Sequence, residues 1–358
     1  MASSPRSFAL RLSVLDQSPV PAGSTPSQAL ANSLDLARHV DRLGYTRLWY
    51  SEHHSMDMLA CTAPEILIAR AAAETSRIRV GSGGIMLQHY APLKVAEVFR
   101  TLHAIFPNRI DLGIGRAPGG GHLESFALRR TRSSSISSPA PDDFLQQLAE
   151  LRAFLHPERF PALLGPDHPF AAIRVAPNAP GSPDLWLLGS SLWSSVIAAQ
   201  EGLPYAFAHF FSPVHTREAI THYQRNFTPS PDRATPEATL AIGVICADTD
   251  SKAQLLHASV RLMQRRIRMD DRRPIAAPDD ALRELEALAS PLDGLPGLAE
   301  ISEWPRYLVG TPDKVRTELL HIATELQLSE IIVNTIIHDH EARKRSYTLL
   351  ADAMKLSH

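Results

Sequence analysis

The sequence predicts a (β/α)8 TIM barrel, with eight parallel strands and helices between them in one domain spanning residues 1–358. Three observations carry that expectation. Four strand–helix repeats follow one another within residues 8–115, an alternation that calls for a parallel sheet. Apolar runs stop abruptly on polar residues, as Leu48-Trp49-Tyr50 does on Ser51-Glu52-His53-His54, and the carboxyl ends of barrel strands are where chemistry is done. Gly-x-Gly-x-x-Gly, the dinucleotide-binding signature of the other common parallel fold, is absent.

The elements follow in order. Residues 8–15 alternate and end at Asp16-Gln17, a first strand. Residues 26–43 carry apolar side chains at helical spacing and close on Gly44, and 46–50 form a second strand. An Ala- and Ile-rich helix is expected over 64–75. A third strand starts at 78–80, runs through Gly81-Ser82-Gly83-Gly84 and continues to Leu87. Pro92 opens a helix to 106, and 109–114 form a fourth strand ending at Gly115-Arg116. The repeat then breaks. Residues 129–141 are Arg- and Ser-rich and read as a mobile loop, 142–155 as a helix, and 157–183 as irregular and Pro-rich. Strands are expected again at 185–188, 205–211, 239–246 and 330–337, with helices at 194–201, 213–226, 251–267, 311–326 and 341–355. Residues 270–305 form a second insertion with a helical piece near 281–288, placed to close over the barrel mouth as a lid.

Composition narrows the function. The net charge of −2 gives no footprint for nucleic acid. Hydrophobic residues make up 44%, enough for a large core, but no apolar run is long enough to span a bilayer. Residues 1–6 lead into no signal core, and Cys61 and Cys246 stand far apart with no disulfide framework. Both facts suit a reducing cytoplasm.

Four stretches carry chemistry. In Glu52-His53-His54 a carboxylate and two imidazoles can hold a proton near neutral pH. They could also begin a metal site, but no H-x-x-x-H or cysteine pair completes one, and successive strand residues point to opposite faces, so at most one histidine enters the mouth. No metal is therefore assigned. Gly189-Ser190-Ser191 leads straight into a helix holding Ser194, where free N–H groups and hydroxyls suit a phosphate; ordinary serine capping is the alternative. Arg116 follows Gly115 past a buried strand's end, where a guanidinium can chelate phosphate and a glycine lets a flat ring approach, unless Arg116 makes only a surface ion pair. Arg109, at that strand's other end, reads as structural. The glycines at 81, 83 and 84 fit either a planar group against the main chain or a simple bulge. Trp49, Tyr90, Phe207, Phe210 and Phe211 could line an apolar pocket or simply pack in the core.

Across its length the chain resembles the luciferase-like flavin-dependent monooxygenases, and within them the branch termed MsnO8-type. The matching stretches are LDQSP (15–19), LGYTRLWYSEHH (43–54), APE (63–65), TSRIRVGSGGIMLQHYAPLKVAE (75–97), PNRIDLGIGRAPGG (107–120), WLLGSS (186–191), GLPYAFAHFFSP (202–213), VGTPDKV (309–315) and IHDHEARKRSYTLLA (337–351). The resemblance implies a barrel that binds reduced FMN at its carboxyl face, with a separate flavin reductase supplying FMNH2. In such enzymes oxygen adds at the flavin C4a, and the hydroperoxide oxidises a small organic substrate. His53 matches the histidine beside the ring and Glu52 its acidic neighbour, the two catalytic positions. Gly83 and Gly84 match a non-prolyl cis peptide behind the ring. Gly115 and Pro118 match positions against the flavin, and Arg116, Ser190, Ser191 and Ser194 the phosphate contacts. Luciferase carries a cysteine where Gly115 stands, so light emission is not expected. Members of the family often form homodimers. Two other functions remain open: hydride transfer with the deazaflavin F420, and flavin binding without turnover. A metal-dependent hydrolase ranks behind both.

Overall fold

The computed structural model describes residues 10–128, 143–288 and 302–356. Among them run nine parallel strands: β1 (Arg11–Asp16), β2 (Arg47–Tyr50), β3 (Arg79–Met86), β4 (Ile110–Gly115), β5 (Asp184–Gly189), β6 (Tyr205–Ala208), β7 (Ala238–Cys246), β8 (Tyr307–Gly310) and β9 (Glu330–Asn334). Strands β1 to β6 pair in sequence, β6 pairs with β7, β7 with β9 and β9 with β1, which closes an eight-stranded barrel. The TIM-barrel expectation holds. The helices are α1 (Pro26–Arg42), α2 (Pro64–Glu74), α3 (Pro92–Ile105), α4 (His122–Leu128), α5 (Phe144–Leu155), α6 (Phe160–Leu164), α7 (Leu192–Gln200), α8 (Thr216–Asn226), α9 (Asp250–Arg268), α10 (Pro278–Ala287), α11 (Pro312–Glu325) and α12 (His340–Met354).

Local sequence explains most of these boundaries. Prolines 26, 64, 92, 278 and 312 each open a helix, where the missing N–H costs nothing. Thr25, Thr249 and Asp339 accept hydrogen bonds from the first turns of α1, α9 and α12. Arg109 donates to the carbonyls of Ala72, Thr75 and Ile78, tying the end of α2 to the barrel floor, a structural role as its position suggested.

The structure departs from the sequence reading in several places, among them the unanticipated helix α4. Strand β8 was not anticipated: its four residues pair with the carboxyl half of β7, Gly243 opposite Tyr307, while β9 takes the amino half. Gly243 makes this possible, since a Cβ there would lie 2.3 Å from the Tyr307 ring. The strand expected over 205–211 stops at Ala208, where a turn follows, and the one expected over 330–337 stops at Asn334, where its ladder pairing ends. Residues read as irregular contain the short helix α6. The loop expected over 129–141 lies outside the described residues, as do 289–301 of the second insertion. The described part of that insertion is tied down: α10 packs on α9, and Ile275 is buried and pairs with Val20 and Ala22.

The barrel interior is filled in layers. At the amino ends, Arg47 donates to Asp111 (2.8 Å) and Glu330 (2.6 Å), Arg79 to Asp111, and Ser13 to Glu330 (2.6 Å). Burial alone would raise the Asp111 carboxyl, but Arg47 and Arg79 outweigh it and hold Asp111 below the usual carboxylate range. Two residues further along the same strands lies an apolar plug of Leu15, Trp49, Trp186, Ala206, Ala241 and Ile332. The Trp49 and Trp186 rings meet edge to face at 5.3 Å, and Trp49 Nε1 donates down to Asp111 (2.9 Å). Trp49 is thus part of the plug. The remaining large cluster, including Phe207, lies between the strands and the surrounding helices.

Candidate active site

Above the plug, the carboxyl ends of β2 to β5 bring the sequence-selected residues together on one side of the mouth. The peptide joining Gly83 and Gly84 is cis, and both glycines are partly exposed whereas Gly81 and Ser82 are buried. The pairing of β3 with β4 slips between Gly83 and Ile85, so the bulge reading of this stretch is also correct. A Cβ on Gly81, Gly84 or Gly113 would strike the neighbouring strand's backbone, at 2.5 Å from Asp111 O, 2.7 Å from Gly113 O and 2.1 Å from Ser82 O. These glycines let β3 and β4 close on each other. Gly115 is different: a Cβ there meets nothing within 4 Å, so its face of the strand is open.

Beside this opening stands the anion grip. Arg116 is exposed and its guanidinium lies over the Trp193 ring, 4.4 Å from the centroid. Trp193 is in the first turn of α7, so the stacking brings a cation to that helix's N-terminus. Ser191 is the N-cap residue with extended backbone, yet its side chain makes no capping hydrogen bond. Ser190 is partly exposed and Ser191 exposed. Uncapped N–H groups, the positive end of the helix dipole and a guanidinium therefore converge, as an oxyanion-rich ligand requires. Ser194 is placed otherwise than the sequence suggested. Its hydroxyl is buried, donates to Ser191 O (2.7 Å) and meets Tyr205 Oη (2.9 Å). It braces the turn and offers a ligand at most its backbone N–H. Gly189 makes room for it, since a Cβ there would lie 2.1 Å from Ser194 Oγ.

The two histidines diverge. His53, three residues past the end of β2, shares a hydrogen bond between its Nδ1 and Ser51 Oγ (3.2 Å). Burial pushes its imidazole down to about 4, against the pull of Glu52, so it is neutral at pH 7. His54 turns toward the segment after β3, its Nε2 2.7 Å from Glu52 Oε1. Glu52 does not reach the mouth. Fully buried, it also accepts from Met86 N–H (2.9 Å) and the Tyr90 hydroxyl (2.5 Å). The sequence reading set it beside His53; here these partners enclose it and leave it no exposed surface. Pro118 is exposed, and its carbonyl accepts from His89 Nε2 (2.8 Å). His54 N–H donates to Gly119 O (2.9 Å), which fastens the loop after β4 to that after β2.

Other histidines at strand ends are engaged elsewhere. His209 is buried between Thr216 Oγ1 (2.7 Å) and Pro305 O (3.0 Å), and His338 donates to Ala22 O. His340 gathers with Asp35 and Glu341, but the Lys344 ammonium sits 2.9 Å and 2.8 Å from the two carboxylates, where a cation would go. Phe210 packs against the plug and Phe211 is exposed. A crevice of about 650 Å³ opens at the opposite, amino end of the barrel, but its Arg152, Arg159 and Arg233 are each paired with a carboxylate. Sequence reasoning missed Trp193 as the cation's platform, although it stands inside the Gly189–Ser195 stretch. Tyr90 as the partner of Glu52 left no local signal, being 38 residues away.

The model of the family described as "Luciferase-like monooxygenase" matches residues 10–328. The chain belongs to that family. A protein of Escherichia coli K12 named luciferase-like monooxygenase is 37% identical over 96% of each chain. The N-acetyl-S-alkylcysteine monooxygenase of Bacillus subtilis is 34% identical, over 96% of this chain and 98% of its own. The crystal structure of apo-MsnO8 superposes with a TM-score of 0.87 at 47% identity, covering 98% of this chain and 99% of that one. The likeness to luciferase-like monooxygenases thus extends from the ends of the barrel strands to the whole architecture. No helix among the described residues is long and apolar enough to cross a membrane.

Proposed function

We propose that this luciferase-like protein binds reduced FMN at the carboxyl face and oxidises a small organic substrate with O2, the FMNH2 coming from a separate reductase. The observation that carries the reading is the Arg116 guanidinium stacked on Trp193 at an uncapped helix start, next to the open face of Gly115. That arrangement fits a phosphate tail joined to a flat ring. When bound, the reduced flavin would supply the electrons that activate O2; the protein's work is binding, orientation and shielding. Arg116, the α7 N–H groups, Ser190 and Ser191 would hold the phosphate. Gly83, Gly84, Gly115 and Pro118 would flank the ring. His53, neutral and tied through Nδ1 to Ser51, would take or give a proton at Nε2. The loop after β4, fastened by His54 and His89, would keep water out. The relative's activity on N-acetyl-S-alkylcysteines makes small S-alkyl thioethers the first substrates to test.

Anaerobic titration calorimetry with FMN, FMNH2 and F420, followed by oxygen uptake with a thioether panel, tests the proposal. The expected result is tightest binding of FMNH2, with oxygen use that increases when the right thioether is added. Uptake of F420 alone would redirect the assignment to hydride transfer, and no uptake of any of the three would end it.

A further inference from the structure

Glu52 is a buried carboxylate with no arginine or lysine within ion-pair reach among the described residues; its one charged-type partner is His54. Oε2 accepts from Met86 N–H, which can only donate. Oε1 is 2.5 Å from the Tyr90 hydroxyl and 2.7 Å from His54 Nε2. Burial, reinforced by Glu52 itself, holds the Tyr90 phenol far above its ordinary range, so Tyr90 is also a permanent donor. With these two donors on it, Glu52 is left to accept from His54. The His54 proton then belongs on Nε2, and Nδ1 carries the lone pair.

We infer that Glu52, held by Tyr90 and Met86, sets the tautomer of His54, making Tyr90–Glu52–His54 an ordered hydrogen-bonded chain beside His53. Tyr90 is its positioning residue. Its hydrogen bond, with that from Met86 N–H, holds the Glu52 carboxyl group where Oε1 meets His54 Nε2. The remaining titratable groups around the chain do not duplicate that role. His53 bonds to Ser51. His89, 6.2 Å from the His54 ring, donates its Nε2 proton to Pro118 O. Burial raises the Cys61 thiol and the Glu65 carboxyl, so neither competes as an anion of ordinary strength. The chain is a property of the protein alone; only its use in turnover rests on the flavin reading.

Imidazole ¹⁵N NMR of the full-length, histidine-labelled, flavin-free protein across pH tests the inference. The native protein is expected to show His54 as the Nε2–H tautomer. Tyr90→Phe leaves Glu52 its Met86 donor and still able to accept from His54, so the Nε2–H tautomer is expected to persist in that variant. The His53 signals should stay in place. Glu52→Gln offers His54 an amide donor instead and should switch it to the Nδ1–H tautomer, which provides the test should Tyr90→Phe not fold. Native His54 as the Nδ1–H tautomer, a switched tautomer in Tyr90→Phe, or an unswitched tautomer in Glu52→Gln would overturn the inference. Because no flavin is present, these outcomes are independent of the calorimetry: loss of FMN binding with the NMR result intact removes the flavin reading and leaves the hydrogen-bonded chain.

Discussion

The two ends of the barrel use the same kinds of side chain to opposite effect. At the amino end, Arg47, Arg79, Asp111 and Glu330 are buried or partly buried and matched charge for charge, with Trp49 and Ser13 completing their hydrogen bonds. At the carboxyl end, Arg116 lies on the surface over Trp193, Ser191 leaves its helix uncapped and Gly115 faces open space. A polar group that the fold buries and satisfies is a structural part, and one at an exposed rim is accessible to a ligand. The contrast runs even along a single strand, since Gly113 and Gly115 share one face of β4 and only the first is required by a neighbour.

The comparison can be broken most forcefully at the amino end. Asp111→Asn should cost about 3–5 kcal/mol of folding stability, because Arg47 and Arg79 would stay buried without their shared counter-charge. Urea unfolding reads this directly, and a loss below about 1 kcal/mol would mean the network is not what holds the barrel floor. His53→Ala, at the other end, should leave the melting temperature and flavin affinity nearly unchanged while lowering turnover roughly 100-fold, the usual share of a general acid–base group. An unchanged rate would remove His53 from the chemistry. The glycine pair sharpens the contrast within β4. Gly113→Ala should destabilise by about 1–3 kcal/mol through overpacking against Ser82 O, whereas Gly115→Ala should cost under about 0.5 kcal/mol and show itself only as weaker FMN binding. Equal melting temperatures for the two variants would contradict the open face.

Near neutral pH the smallest effect is a pH dependence. Burial lowers His53, His209 and His257 to about 4, from 6.5. Between those values the unfolded chain binds protons that the folded one refuses, so the stability they contribute is complete above pH 6.5 and is lost as pH falls toward 4. Each imidazole adds at most about 1.4 kcal/mol per pH unit to that slope. Urea unfolding at several pH values should show stability falling across this window, with a shallower fall in His209→Gln; a flat native curve would show that these imidazoles accept protons in the folded state.

Much of this was legible in the chain. Alternation of apolar strands and proline-led helices specified a parallel barrel, because each strand must be covered and each helix needs a start signal near in sequence. Leu48–His54, Ile110–Arg116 and Leu185–Ser191 pointed to the carboxyl face, since an apolar run that ends on polar residues marks a strand leaving the core. Resemblance to the luciferase-like family singled out Gly83 and Gly84, whose peptide is cis in the structure. Beyond that, sequence could say which residue types were present but not which were already satisfied. Ser191 and Ser194 look alike on the page, yet one is open and the other is held by Tyr205, eleven residues on. Nothing local shows that Glu52 is enclosed by Met86 and Tyr90, brought to it from the end of β3 and the turn after it. Strand β8 has four residues and no periodicity, and only its pairing with β7 makes it a strand. The sequence by itself determined the fold, the end of the barrel that bears the chemistry and the residue types gathered there, because these follow from local periodicity and short-range signals. Tertiary structure alone decided which glycines are structural, which serine is free and which histidine is tied to a buried carboxylate, because hydrogen-bond satisfaction and open space depend on neighbours that the chain brings in from far away.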